Sequence, residues 1–197
     1  HSIEAIYKHC YNLNSPHHGA FAITDRVAIA SSSPEEFFYL NNGMIRTKPI
    51  KGTIGRHSDA AKDQLARDIL LNSEKDRAEL IMITDLMRND LSQCCNIGSV
   101  VTRHLCELQT FEYVYHLVST IEGTISPNLS PLTILKKLAP GGSITGCPKY
   151  SACDIINSLE SHSRDYYTGH IGFISGSGEA AFNVAIRTCY QLYNQPI

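Results

Sequence analysis

The chain has 197 residues, of which 43% are hydrophobic and 18% charged, and a net charge of −2. This is enough chain for one globular domain with its own core, and the near-neutral charge offers no basic footprint for nucleic acid. No apolar run approaches the ~20 residues of a membrane-spanning helix, and no signal peptide opens the chain, so no membrane contact is expected. The seven cysteines, including the adjacent Cys94 and Cys95, are odd in number and show no framework spacing. With no CxxC or HExxH in the chain, they read as the reduced thiols of a cytoplasmic protein.

Ile3, Ile6 and Tyr7 open a helical pattern directly after His1. Ala20 to Ala30 is strand-like, and Asp25-Arg26 makes it a hairpin. Serines followed by proline and acids, in Ser31 to Phe38, suit the cap and first turn of a short helix, with Glu35 or Glu36 serving the helix dipole. Gly43 to Ile50 alternates as a strand. Lys51 then falls where that strand ends and the chain turns at Gly52 with little bulk nearby. Ser58 to Leu71 and Glu74 to about Leu91 read as two helices interrupted at Asn72-Ser73. Strands are expected at Gly98 to Leu105 and from Phe111 through Thr120, and a short helix at Leu132 to Leu138. A glycine-rich turn, Pro140 to Lys149, leads into a helix over Tyr150 to Leu159. Tyr166 to Gly178 and Phe182 to Tyr190 read as closing strands. The first residue is not Met, and no helix follows the last apolar segment, so a piece of a larger chain cut at both ends is expected.

Several residues invite chemistry. Most lysines are exposed, yet an amine beside a glycine is a nucleophile once desolvation or nearby cations deprotonate it. Glu79 shares an i, i+3, i+4, i+7 row with Met82, Ile83 and Leu86, and a carboxylate on such a face either needs a cation, a metal or donors or sits at the rim of the stripe and reaches solvent. Asp85, Arg88, Asn89 and Asp90 are placed to lock the helix end to a neighbour. The bare amides of the glycine-rich turn form an anion site, although the spacing is not that of a Walker loop. Arg187, inside an apolar strand, suits a two-pronged clamp on a carboxylate. His116, a lone histidine in a strand, reads on its own as a satisfied structural residue.

Taken in order, SSSPEEF (31–37), RTKPIKGT (46–53), KDRAELIMITDLMRNDL (75–91), HLVSTIEG (116–123), PGGSITGCPK (140–149), YTGHIGF (167–173) and NVAIRT (183–188) resemble the chorismate-utilising enzymes. The resemblance is strongest to their aminodeoxychorismate synthase component I branch and spans nearly all of the chain after residue 20. It implies an α+β fold of packed antiparallel sheets with outer helices, here an incomplete piece, with residues 1–197 forming one chorismate-binding catalytic domain. It also implies Mg²⁺ and replacement of the ring hydroxyl at C4 of chorismate by ammonia, on the para-aminobenzoate and folate route. A partner glutamine amidotransferase would release the ammonia from glutamine.

By motif position, the resemblance makes Lys51 the nucleophile that attacks ring C2, before ammonia adds at C4 and expels it. It makes Glu35 the acid/base carboxylate near the departing hydroxyl, Glu79 the Mg²⁺ ligand and His116 the histidine beside the ring. Tyr167 and Arg187 match residues that hold the enolpyruvyl carboxylate, and Thr53, Thr145 and Lys149 line the site. Anthranilate synthases, which aminate at C2, carry alanine at the position of Lys51 and usually lack the PGGSITG wording. The FNVAIRT wording also resembles versions fused to a lyase domain. Family members continue past the IRT strand to a GGGI-like turn and a helix with a second metal-binding glutamate, neither of which occurs in this sequence. Cys147 stands where alanine is common, and Ala181 where aspartate is frequent. The alternatives are amination at C2 or a truncated, non-catalytic chorismate-binding module.

Overall fold

The computed structural model describes residues 2–14 and 16–193. Its elements in chain order are α1 (Ile3–Asn14), β1 (Ala20–Ile23), β2 (Val27–Ser31), β3 (Glu36–Asn41), β4 (Met44–Lys48), β5 (Ile50–Gly55), α2 (Ala60–Leu71), α3 (Glu74–Ser92), β6 (Val101–Thr110), β7 (Val114–Thr124), α4 (Pro131–Leu138), α5 (Lys149–Leu159), β8 (Gly172–Ile174), β9 (Ala180–Asn183) and β10 (Thr188–Leu192). A 3-10 turn at Gly142–Ile144 precedes α5. Every strand pairing is antiparallel.

The strands form two sheets, β1-β2-β10 and β5-β7-β4-β3-β9-β8, with β6 added on β7. Helix α1 covers the small sheet through Ile3, Ala28 and Ala30. The large sheet packs on α3 and α4, with Phe37, Ile45, Ile121, Leu86, Leu91 and Ile134 at the centre of the core. Each such side chain gains about 1.5–3 kcal/mol from full burial, and this cluster holds more buried residues than the other two. A second cluster joins Leu70 of α2 and Leu80 of α3 to Tyr115 and Leu117 on β7.

The two long helices follow from their caps. Asp59 accepts the Lys62 amide at the start of α2, and Ser73 accepts the Asp76 amide at the start of α3. The expected hairpin at residues 20–30 is present as β1 and β2. Among the described residues no helix is long and apolar enough to cross a membrane.

Four expectations are corrected. Glu35 and Glu36 do not start a helix, because Phe37 and Phe38 are drawn into β3 between β4 and β9. Glu36 instead makes a forked ion pair with Arg46 across β4, at 2.9 and 2.8 Å. Lys51 lies inside β5 rather than at a strand end, with Gly52 as a bulge residue at φ +75°. The expected strand from Phe111 to Thr120 begins only at Val114, because Phe111 N–H donates to the Val114 carbonyl and closes the β6–β7 hairpin. The segments at 166–178 and 182–190 each form shorter strands than expected, and the chain leaves the ladder over Val184 to Arg187.

Candidate active site

The site lies where two strand pairs come apart. Strand β3 pairs with β4 as far as Glu36 opposite Lys48. Beyond that point Pro34 and Pro49 carry the two chains away from each other, and among the described residues β5 keeps β7 as its only partner in the ladder. The open edge of β5 therefore faces the segment that carries Glu35.

Glu35 is 7% exposed. Burial raises its carboxyl from 4.5 to about 7, and the Ser143 hydroxyl and the Lys51 ammonium pull the other way. A carboxyl in this range exists in both protonation states near neutral pH, as acid/base work requires. Ser143 belongs to the glycine-rich turn, which is held close by packing. A Cβ on Gly142 would stand 2.6 Å from Leu86 Cδ2, so only glycine lets this turn lie against α3. The motif was legible in the sequence, whereas the pairing of Ser143 with Glu35 was not, because it joins residues far apart in the chain.

Lys51 reaches α3, where its Nζ lies 2.9 Å from Glu79 Oε1, with side-chain exposures of 23% and 40%. Glu79 thus has the cation that its place on the helix called for, and Met82 in the same row is exposed. Cross-strand partners share a face. Lys51 pairs with Leu117 and turns toward α3, whereas Thr53 pairs with His116 and turns to the opposite face. The bulge at Gly52 makes this split, and the tight approach of Asp76 and Leu70, each 2.9 Å from where a Cβ would be, leaves no room for a larger residue.

On the other face, Thr53 Oγ1 and His116 Nδ1 are 2.7 Å apart. Burial pushes the His116 imidazole below its ordinary value, opposed by a hydrogen bond with the Gly52 backbone and reinforced by Arg187. His116, Arg187, Phe111, Ser32 and Pro34 line one cavity of about 200 Å³. Arg187 is exposed and sits at φ +50°, off the strand where it was expected. Its guanidinium makes no ion pair among the described residues, which leaves both prongs available to a ligand.

The remaining expected residues lie apart. Lys149 donates from Nζ to Asp90 Oδ2 at 2.7 Å and to the Leu138 carbonyl at 3.0 Å. This ties α5 to the end of α3, the lock that the acidic residues there suggested. Burial outweighs the ammonium and holds the Asp90 carboxyl above its ordinary value. Thr145 donates to the Gly141 carbonyl at 2.9 Å and faces an open depression beside α5. Tyr167 borders a neighbouring depression with Arg164 and Tyr190. His170, which sequence reasoning passed over, stacks on Phe37 with centroids 3.6 Å apart and clips the glycine-rich turn to β3.

Glu79 offers the hard oxygen donor that Mg²⁺ takes, with access from solvent. No group of three His, Cys, Asp or Glu side chains suited to a metal occurs among the described residues. A Mg²⁺ would therefore find one protein carboxylate here among the described residues, Glu79, and would take the rest of its shell from water or substrate oxygens.

A sheet of this topology, with a buried carboxyl and an amine at its parted strands and, beside His116 on the other face, an arginine without an ion pair among the described residues, offers groups that binding a small anionic ligand and acid/base chemistry would use. A family model described as chorismate binding enzyme matches residues 1–196, and the chain belongs to that family. It is 44% identical over 169 residues to aminodeoxychorismate synthase component 1 of Klebsiella aerogenes, covering 86% of this chain and 38% of that protein. It is 37% identical over 185 residues to anthranilate synthase component 1 of Saccharolobus solfataricus, covering 94% and 44%. The crystal structure of anthranilate synthase component I from Streptococcus pneumoniae superposes with a TM-score of 0.84 at 33% identity, covering 96% of this chain and 41% of that one. The chain thus spans less than half the length of each of these relatives. The packed antiparallel sheets with outer helices are a partial piece of that fold.

Proposed function

We propose that this chain forms the chorismate-binding part of an enzyme that replaces the C4 hydroxyl of chorismate with ammonia. The product would be 4-amino-4-deoxychorismate, on the para-aminobenzoate and folate route. The observation that carries the reading is the primary amine of Lys51, set close enough to Glu35 for its charge to act on that carboxyl. Anthranilate synthases, by resemblance, have alanine there.

An ammonium has no lone pair, so Lys51, whose side chain is 23% exposed, must first release one proton to solvent water. Its Nζ then bonds to ring C2, both ring double bonds shift by one position, and the C4–O bond breaks. Glu35 gives its proton to the departing hydroxyl, which leaves as water. Ammonia bonds at C4, the double bonds shift back, and the C2–N bond breaks to return the Lys51 amine. The proton shed by the new C4 ammonium restores Glu35, so atoms and charge balance. Arg187 would fork onto a carboxylate of the substrate, with His116 beside the ring. Glu79 would hold Mg²⁺, which when bound supplies positive charge for the ring carboxylate. The ammonia would come from a glutamine amidotransferase partner.

The test is product analysis of the intact chain supplied with chorismate, Mg²⁺ and an ammonium salt. Formation of 4-amino-4-deoxychorismate is expected. Anthranilate would move the amination to C2, and chorismate bound but unconverted would make the chain a binding module.

A further inference from the structure

Two chain segments cross between the small and large sheets side by side. One runs from Ser31 on β2 to Glu36 on β3, the other from Asn183 on β9 to Thr188 on β10. They are paired at both ends, Ser31 opposite Thr188 and Glu36 opposite Asn183. Between those ends the ladder parts, and the backbone groups in the gap need other partners, because buried amides and carbonyls are costly unpaired.

Ser33 supplies them. Its side chain is fully buried. Its hydroxyl donates to the Val184 carbonyl at 2.6 Å and accepts the Glu35 amide at 3.2 Å. Val184 N–H closes the ring by donating to the Glu35 carbonyl at 3.2 Å. Toward β2 and β10, Ser32 N–H donates to the Arg187 carbonyl at 3.0 Å, and Thr188 Oγ1 lies 2.8 Å from Ser31 Oγ. Each of the three serines therefore bonds to the segment that presents Arg187.

We propose that Ser33 is a positioning residue, whose hydroxyl clamps the Glu35 backbone to Val184 and so fixes the Glu35 carboxyl relative to Lys51 and Arg187. This rests on the assignment of Glu35 as the acid/base group. A serine suits the place because one small hydroxyl both donates and accepts, and alanine does neither. The groups that face the Glu35 carboxyl are Ser143 from the glycine-rich turn and Lys51 from β5, and neither bonds its backbone.

The test compares the intact chain with Ser33→Ala and Ser33→Thr. Misplacing a catalytic group by about 1 Å lowers turnover by up to about a hundredfold. For Ser33→Ala, kcat should fall on that scale while KM for chorismate holds. The limb of the pH–rate profile set by Glu35 should move to lower pH as water reaches the carboxyl, and Ser33→Thr should restore both. Wild-type kcat and profile in Ser33→Ala, or a change confined to KM, would overturn the proposal. Amide exchange in the unaltered chain reads the clamp without any variant. Glu35 and Val184 N–H should be protected, and exchange at the rate of solvated amides would also overturn it. If the unaltered chain fails to aminate chorismate, the functional reading falls separately. The clamp is then judged by exchange and by carbon NMR titration of the Glu35 carboxyl, which should move down in Ser33→Ala.

Discussion

Replacing Glu35 with Gln should make the protein more stable at alkaline pH and at the same time inactive. Folded Glu35 keeps its proton to about pH 7, whereas an unfolded chain gives it up near 4.5. Across that window the native state binds more protons than the unfolded one, so stability falls as pH rises. The span from 4.5 to about 7 corresponds to a loss of about 3 kcal/mol, complete above the folded value. Glutamine keeps the shape and stays neutral, so it escapes this loss. Urea denaturation of both proteins should therefore give similar stabilities near pH 4.5 and a gain of about 3 kcal/mol for Glu35→Gln at pH 8. In a melting experiment at pH 8 the gain is about 6–12 °C. Turnover should drop by about 10²–10⁴-fold, the usual contribution of a positioned acid/base group. Equal stabilities at pH 8 would refute the claim that Glu35 is held buried against its own ionisation.

Three further predictions follow from single contacts. Lys149→Met leaves the buried Asp90 carboxylate and the Leu138 carbonyl without their donor. It should cost about 3–5 kcal/mol in urea denaturation, with part of that regained in the double variant Asp90→Asn, Lys149→Met. Gly52→Ala places a Cβ at φ +75° and 2.9 Å from Asp76 and Leu70, and should cost about 1–3 kcal/mol by the same measurement. Arg187→Ala removes an exposed guanidinium that makes no ion pair among the described residues, so stability should hold while chorismate affinity, measured calorimetrically, falls by at least about tenfold as a charge-assisted pair is lost.

The parts of the fold that announced themselves were local. Asp59 and Ser73 stand at helix starts and cap them, and Asp25-Arg26 does turn a hairpin. The failures share one cause, a distant partner overriding a local signal. Ser-Pro-Glu-Glu has the chemistry of a helix start, but Ser33 bonds Val184, 151 residues away, and the two phenylalanines that follow are wanted in the core. Gly52 looked like a turn because a positive-φ glycine serves turns and bulges alike, and only the pairing of β5 with β7 distinguishes them. Arg187 was expected inside a strand; instead Ser32 bonds its carbonyl and its side chain is exposed. At the candidate site, the motifs marked Glu35, Lys51, Glu79 and His116, and the structure brings Lys51 to Glu79 and His116 to Arg187. That Lys51 and Thr53 lie on opposite faces, and that Lys149 serves Asp90, depended on register and packing that no single motif encodes.

The central claim is that Lys51 is a nucleophile toward chorismate, and intact-protein mass tests it most directly. The intact chain and its Lys51→Ala variant would be incubated with chorismate and Mg²⁺ in the absence of ammonia, after calorimetry has shown that both bind chorismate. The parent should gain the mass of chorismate less one water, and Lys51→Ala should gain nothing. A parent chain that binds chorismate and stays unmodified, or an adduct of equal yield on Lys51→Ala, would contradict the claim.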